Sequence, residues 1–362
     1  MSETKVLHVI ARMNVGGTAR YVGELMKDIP GMKLATGYVQ GNELEDKIMN
    51  EVDFIRVEHL GRKISLLNDL KSWIELRQIV REVKPEIIHT HTFKAGLVGR
   101  LIPGKHKRIH TFHGHLFADS SFSAFSKKLI VLVEKFLATR TDLLISVGEK
   151  IGEEIRLRGI GGNKNWVSIP PGIKPLPKLD KQDARKKLRL PESGIIIGWM
   201  GRMAPVKNPF LLLEIAEELP KVQFAMAGGG DLLNEVISKA PSNVKVLGWA
   251  EASEFWSAVD IAVSTSENEG MPVAIIEAQM HGVPIVSTDV GSNSEVIVSG
   301  LTGVLVTANL TSMCSELRSL IRQENEYKKM SINAVLVATK KFSLDNFIFM
   351  HLERYDSILT KN

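Results

Sequence analysis

Two kinds of apolar pattern alternate along the chain. Short continuous runs, at residues 5–12 (KVLHVIAR), 34–40, 54–57, 86–91, 108–112, 142–147 and 167–169, read as buried strands. Between them lie stretches with apolar residues every three or four positions, at 19–28, 66–83, 94–101, 127–140 and 148–158, which read as helices. In 66–83 the spacing of Leu66, Leu67, Leu70, Trp73, Ile74, Leu76, Ile79 and Val80 predicts a helix with these side chains facing the core. Residues 127–140 (KKLIVLVEKFLATR), edged by Lys127, Lys128, Lys135 and Arg140, are expected as a core helix covering the sheet, with membrane contact as the alternative. Phe117, Phe122 and Phe125 in the preceding serine-rich loop suggest an apolar lip. Pro170-Pro171-Gly172 can continue neither strand nor helix and marks a boundary. Beyond it the alternation restarts. Strands are expected at 194–200, 223–227, 244–247, 261–264, 284–288 and 303–306, with helices starting at Pro209, Asp231, Ala252, Ala274 and Leu310. Such regular alternation implies α/β domains, each a parallel sheet covered on both faces. The expected division is residues 1–170, residues 171–341, and an amphipathic tail helix in 342–362 capped by Ser343.

Composition narrows the setting. A length of 362 residues favours two domains, each of ~150–200 residues. The single cysteine, Cys314, excludes a disulfide framework and a cysteine-based metal site. No signal pattern precedes the first strand, and no apolar run reaches the ~20 residues of a membrane span, so a cytoplasmic location is expected. Residues 1–170 carry 26 Lys+Arg against 19 Asp+Glu, a net +7, whereas residues 171–362 carry 20 against 22, a net −2. The basic first half calls for an acidic partner such as a phospholipid surface or a lipid pyrophosphate, with peripheral contact to the inner face of an anionic membrane. A nucleic-acid partner is not expected, since no groove-reading motif or aromatic-interleaved basic stripe is present.

Candidate chemistry gathers at strand ends. Residues 261–264 lead into a polar loop with Glu267, Asn268, Glu269 and Gly270, followed by Met271, Pro272 in an expected first helical turn, and Gly282 just past the helix end. Unpaired amides at that helix start would meet a phosphate or a sugar hydroxyl. Glu269 and Glu277, eight apart, would face one ligand from two heights, and paired carboxylates accept hydrogen bonds from vicinal hydroxyls. The turn at Gly16-Gly17 between strand and helix has the form of a phosphate cradle. Histidines cluster as His89, His91, His113 and His115. No carboxylate triad or His-Glu-x-x-His accompanies them, so a polar mouth at the ends of parallel strands is favoured over zinc, and no metal or cofactor is expected. Gly201-Arg202 ends another strand, with Lys207 close behind. The chain contains no Asp-x-Asp, so Arg202 and Lys207 stand as two fixed cations near one strand end without a metal-binding carboxylate pair beside them, an arrangement suited to an anionic ligand.

The string Glu-Gly-x-Pro-x4-Glu-Ala from Glu269, followed by Gly-x-Pro-x-Val, resembles the Glu-x7-Glu signature of retaining glycosyltransferases of family 4. His89-Thr-His-Thr-Phe-Lys-Ala-Gly-Leu-Val-Gly-Arg100 and Thr111-Phe-His113-Gly-His look like the acceptor-side domain of the same family. The resemblance covers nearly the whole chain. It implies the GT-B fold: two Rossmann-like, doubly wound domains facing a cleft, an acceptor-side domain first and a nucleotide-sugar domain second, with the C-terminal helix crossing back to the first. It implies a nucleotide diphosphate sugar as donor and a glycan or lipid-linked acceptor, in cell-surface polysaccharide synthesis. It further implies that Arg202 and Lys207 hold the donor diphosphate, Glu269 the transferred sugar and Glu277 the ribose. His113 would contact the donor sugar, and Gly16 and Gly17 would line the site near the diphosphate. Gly201 and Gly230 would lie near the nucleotide, and Trp249 in the base-contacting loop. The family's second glycine in Asp-Val-Gly-Gly is absent here, where Asp289-Val-Gly-Ser292-Asn293 stands, and its linker often carries Asn-Gly where Pro171-Gly172 stands. Two rivals remain: a GT-B nucleotide-sugar 2-epimerase and a catalytically silent sugar-nucleotide-binding subunit.

Overall fold

The computed structural model describes residues 5–41, 43–61, 65–114 and 123–360. His115, Phe117 and Phe122 lie outside the described residues. The chain divides into two units: Met1–Gly172 together with Leu344–Asn362, and Ile173–Ser343.

In the first unit the elements run β1 (Val6–Ile10), α1 (Gly17–Asp28), β2 (Met32–Thr36), β3 (Phe54–Arg56), α2 (Leu66–Val83), β4 (Ile87–His91), α3 (Phe93–Gly99), β5 (Lys107–Phe112), α4 (Ala124–Thr139), β6 (Leu143–Ser146), α5 (Glu149–Leu157) and β7 (Asn165–Ser168). The seven strands pair in parallel in the order β3-β2-β1-β4-β5-β6-β7. Strand order therefore reverses between β1 and β4, the place where doubly wound sheets bind ligands.

The second unit contains α6 (Lys181–Lys187), β8 (Ile196–Met200), α7 (Pro209–Glu218), β9 (Gln223–Ala227), α8 (Leu233–Lys239), β10 (Val244–Gly248) and α9 (Ala252–Ala258). It continues through β11 (Ile261–Ser264), α10 (Val273–Met280), β12 (Ile285–Thr288), α11 (Asn293–Val296), β13 (Gly303–Val306), α12 (Leu310–Arg322) and α13 (Glu324–Lys341). Its parallel order is β10-β9-β8-β11-β12-β13, which reverses between β8 and β11. The last helix, α14 (Leu344–Thr360), belongs to the first unit, where it packs against α1.

Local chemistry sets the element ends. Asp180 caps α6 by accepting from the Gln182 and Asp183 amides, and Asn309 caps α12 from the Ser312 amide. Lys84, left-handed at φ 51, closes α2 immediately before Pro85. Pro272 stands one position earlier than expected, as the N-cap of α10 rather than inside its first turn.

The two faces of the first sheet differ. Leu7, Val9 and Ile88 pack with Leu76 and Ile79 of α2 and Ala95 of α3 in an apolar core. On the opposite face the register places His8 beside His89 and Ile10 beside His91, and here Tyr21 of α1 and His351 and Tyr355 of α14 cover the strands.

Two expectations about helix burial are corrected. Leu76, Ile79 and Val80 of α2 are buried, but Leu66, Leu67, Leu70 and Ile74 are 55 to 86% exposed. In α4, Ile130, Leu137 and Ala138 are buried, while Phe125, Leu129, Leu132 and Phe136 form an exposed stripe. Apolar spacing identifies a helix, but each of these carries apolar residues on more of its circumference than one sheet can cover.

Candidate active site

In the second unit the loops leaving β8 and β11 meet at the point of strand-order reversal. Trp199 on β8 donates its indole N–H to Thr265 Oγ1 at 3.0 Å, and Thr265 Oγ1 in turn reaches the carbonyls of Lys207 and Asn208 at 3.0 and 2.9 Å. Its single hydroxyl hydrogen serves one carbonyl at a time. The Glu267 amide donates to the Val206 carbonyl at 2.9 Å. These bonds hold the short turn Pro205–Lys207 against the loop of Glu269. Lys207 Nζ consequently lies 2.5 Å from Glu269 Oε1, and Ser266 Oγ donates to the same oxygen at 2.7 Å. Glu269 is nearly buried, so its charge rests on these two donors, while Lys207 keeps a quarter of its side-chain surface open.

Gly291, at φ 49, lies against the Glu269 backbone. A Cβ there would come within 1.9 Å of the Glu269 carbonyl oxygen, and the Ser292 amide donates to that same oxygen at 3.2 Å. Where the family carries a second glycine, Ser292 is buried beside Asn293; Asn293 Nδ2 donates to Ser287 Oγ and the Thr288 carbonyl, while Ser292 Oγ and Asn293 Oδ1 are buried with no hydrogen-bond partner among the described residues. Glu277 is buried in the second turn of α10, which begins with no side-chain cap. Gly270 and Met271 sit partly open between Glu269 and that helix start, followed by buried Pro272.

Arg202 is exposed just beyond β8, after Gly201. Gly228, at φ 131, permits the approach of the next loop, since a Cβ would stand 1.9 Å from the Gly201 carbonyl oxygen. Met203 donates its amide to the Gly229 carbonyl at 2.8 Å, which draws Gly230 in as well. Trp249 is partly exposed, with its indole against Gly229. Every donor-side residue expected from the sequence, from Gly201 to Glu277, therefore lies at the carboxyl ends of β8, β9, β10 and β11 or in the start of α10.

In the first unit Gly16, at φ 153, caps α1, and both Gly16 and Gly17 are exposed at the end of β1. A chain of histidines reaches the same sheet edge. His8 Nε2 contacts Met32 Sδ at 3.4 Å, His8 Nδ1 lies 3.0 Å from His91 Nε2, and His91 Nδ1 lies 3.1 Å from His113 Nε2. Burial first, then neighbouring imidazoles, push His8 down to about 3 and hold His91 well below the ordinary histidine range. His113 is likewise lowered to about 3, so the chain is neutral near pH 7.

A thioether has no proton to give, so His8 Nε2 carries the hydrogen and His8 Nδ1 accepts. His91 then donates from Nε2 and accepts at Nδ1, and His113 donates from its Nε2. The sequence of bonds leaves His113 Nδ1 as a lone-pair acceptor. Thr92, immediately after His91, is held at φ 67, a left-handed conformation costly for a β-branched residue and often found at functional sites.

His8, His89 and His91 bring ring nitrogens within 4.8 Å of one another, a grouping among the described residues that could hold a metal ion. All six nitrogens have partners in the protein: His89 reaches Tyr355 Oη at 2.8 Å and Thr111 Oγ1 at 2.7 Å, and the other four belong to the chain from Met32 to His113. Sequence reasoning did not single out His8, Met32, Thr265 or Ser266. His8 could have been found from its place as the one polar residue in VLHVI, whereas the contact from Met32 needs the strand register.

Two family models match the chain: a glycosyl transferase 4-like domain over residues 16–172 and the glycosyl transferases group 1 over residues 180–336. The chain is 29% identical over 345 residues to a UDP-Gal:alpha-D-GlcNAc-diphosphoundecaprenol alpha-1,3-galactosyltransferase of Escherichia coli, covering 89% of this chain and 88% of that one. It is 24% identical to the capsular polysaccharide biosynthesis glycosyltransferase CapM of Staphylococcus aureus, covering 84% and 85%. Among solved structures, sucrose-phosphate synthase from Thermosynechococcus elongatus superposes with a TM-score of 0.85 at 18% identity, over 99% of this chain and 100% of that one. HepE of Anabaena in complex with UDP and glucose does so with a TM-score of 0.84 at 18% identity, over 98% and 100%. The fold of two Rossmann-like domains is thus the one these proteins share, that of the GT-B class.

Proposed function

The chain belongs to the glycosyltransferases, with a glycosyl transferase 4-like domain in its first unit and a group 1 domain in its second, and from that premise we propose a specific reaction. It moves a sugar from a nucleotide diphosphate donor to a glycan or lipid-linked acceptor, with retention at the anomeric carbon, without a metal ion, in the synthesis of a surface polysaccharide. The observation that carries this reading is the buried Glu269 held by Lys207 and Ser266 at the strand-order reversal of the second unit.

Departure of the diphosphate leaves negative charge on its bridging oxygen. Lys207, with hydrogens to spare beyond the one on Glu269, and Arg202 supply fixed positive charge for it. Glu269 accepts hydrogen bonds from hydroxyls of the transferred sugar and Glu277 from the ribose, while amides following Gly270 and the loops of Gly201, Gly230 and Trp249 support the nucleotide end. Gly16 and Gly17 present the uncapped start of α1 to a phosphate. His113 uses its Nδ1 lone pair to accept from a substrate hydroxyl. The incoming hydroxyl loses its proton to the leaving diphosphate on the same face of the sugar, which yields retention without a protein nucleophile.

The named relatives suggest the first substrates to try: UDP-galactose with an N-acetylglucosaminyl diphosphate lipid. Transfer should proceed in EDTA, and NMR of the product should show the donor's α configuration. A β product would remove retention from the reading, and dependence on added divalent metal would remove metal independence. Isomerised donor in the absence of acceptor would favour the 2-epimerase. Absence of both transfer and donor hydrolysis across a panel of nucleotide sugars that bind would favour a silent subunit.

A further inference from the structure

At the amino edge of the first sheet, the edge away from Gly16, Gly17 and His113, a cavity of about 420 Å³ opens between the start of β7, the end of α5 and the last turns of α14. That is room for a small molecule and more than a single ion needs. Three cations line it: Arg156 of α5, Lys164 in the turn before β7 and Arg354 of α14. Asn165, Ser357 and the aromatic Trp166 complete its polar wall, and among the described residues no carboxylate belongs to the lining.

Helix electrostatics accounts for one of these cations and not for the others. Arg156 lies in the last turn of α5, where positive charge suits the carbonyl end of a helix, and its guanidinium stands 6.0 Å from the centre of the Trp166 ring. Arg354 lies inside α14, one helical turn before Ser357 on the same face. Its Nε is buried without an acceptor among the described residues, and its Nη2 stands 3.6 Å from Glu353 Oε2, beyond hydrogen-bond length. The Nε and Nη2 edge of a guanidinium is the fork that grips two oxygens of a phosphate, and here that fork is unfilled by the protein's own carboxylates. Lys164 uses one hydrogen on the Thr139 carbonyl, at 3.1 Å, and an ammonium carries two more. Trp166 Nε1 is a second buried donor in this wall with no acceptor among the described residues.

The same wall is two contacts away from the histidine face. Trp166 stacks on Phe112, with ring centres 5.6 Å apart and planes 20° from parallel, and the residue after Phe112 is His113. Tyr355 follows Arg354 on α14, and its hydroxyl lies 2.8 Å from His89 Nδ1.

We propose that this cavity binds the phosphate group of a small soluble phosphorylated molecule, and that its occupancy is transmitted to the histidine face through Phe112 and Tyr355. The Arg354 fork donates to the phosphate oxygens, while Arg156 and Lys164 neutralise the remaining charge. Because the cavity is at the opposite sheet edge from Gly16, Gly17 and His113, its occupant acts as a regulator rather than as donor or acceptor. The site goes beyond the transfer reaction proposed above and does not depend on it.

The test needs neither donor nor acceptor. The full chain, labelled with nitrogen-15 in tryptophan and histidine, is titrated with inorganic pyrophosphate, and with sodium chloride at equal ionic strength as the comparison. The Trp166 indole signal, assigned by its loss in Trp166→Phe, should move saturably with pyrophosphate and not with chloride. The His89 imidazole signals should move with the same half-saturation. Arg354→Gln should raise that half-saturation about tenfold or more. Arg156→Gln, at an exposed side chain, should raise it by a smaller factor and serves as the second variant if Arg354→Gln loses the parent's circular dichroism. Lys207→Ala should leave the Trp166 titration unchanged, because Lys207 belongs to the second unit. A Trp166 signal that stays still, that responds equally to chloride, that both arginine variants leave unaltered, or that Lys207→Ala silences overturns the site. Movement of Trp166 without movement of His89 overturns the transmission.

Discussion

The two units use the same α/β layering but place their polar groups differently. In the second unit charge is kept at the sheet's rim: Lys207 and Glu269 pair in loops, and the cores on the two sheet faces are made of residues such as Ile197, Leu212, Phe224 and Phe255. In the first unit polarity runs through the core. Nine of the ten histidines belong to it, His281 being the one in the second unit, and His8, His89, His91 and His351 are completely buried on one sheet face. The other face holds the buried pair Arg100 and Glu134. A charged rim binds a charged ligand with little commitment from the core beneath it. A polar core transmits hydrogen-bond direction over three residues, at the cost of sensitivity to anything that protonates or unpairs it.

This contrast is most strongly tested by Arg100→Ala. It leaves Glu134 buried without its partner and should destabilise the first unit by about 3–5 kcal/mol. Denaturant unfolding followed at Trp73 and Trp166 should shift, while signals from Trp199 and Trp256 should not. A shift shared equally by all four would mean that the units do not unfold separately.

Next in size is Lys207→Ala, which removes the cation beside Glu269 and should cut transfer by roughly 10²–10³-fold with circular dichroism unchanged. Full activity would remove Lys207 from the mechanism.

Acid should then separate the units. His8 is lowered to about 3 and His351 to about 4 in the folded protein, from 6.5 otherwise, so the unfolded chain binds protons that the folded one refuses. Their stabilisation is complete above about pH 6.5 and is lost as the pH falls towards 4 and 3, at up to about 1.4 kcal/mol per pH unit for each histidine. Thermal melts from pH 7 to 4.5 should lower the first unit's transition more than the second's, and equal losses would contradict the comparison.

The smallest effect concerns direction. Met32→Leu conserves volume and should cost about 1 kcal/mol or less, yet it removes the acceptor that orients His8. Nitrogen-15 NMR of the imidazoles should find the His113 proton on Nε2 in the parent and partly on Nδ1 in the variant. A parent proton on Nδ1 would refute the assigned direction.

Much of this was legible beforehand, for different reasons in different places. Strand and helix alternation declares itself because parallel strands buried on both faces are mostly apolar, a pattern that histidine interrupts in β1 (VLHVI), β4 (IIHTH) and β5 (KRIHTF). The donor-side residues were visible because strand, loop and helix follow one another within a few positions, as from Ser264 to Val273. What stayed hidden depended on contacts far apart in the chain. Lys207 and Glu269 meet across 62 positions because β8 and β11 are neighbours, and His8 meets His91 across 83 because β1 pairs with β4. The outward faces of α2 and α4 stayed hidden because periodicity tells how a helix is striped and not how many neighbours it will have.

Helix α14 has a consequence for the order of assembly. Residues 344–360 are synthesised after the entire second unit, yet His351 and Tyr355 close over Tyr21 and His89. A nascent first unit therefore waits with its histidine face uncovered while the second unit, self-contained from Ile173 to Ser343, has every residue it needs. The unit that is made first is the one that can finish last.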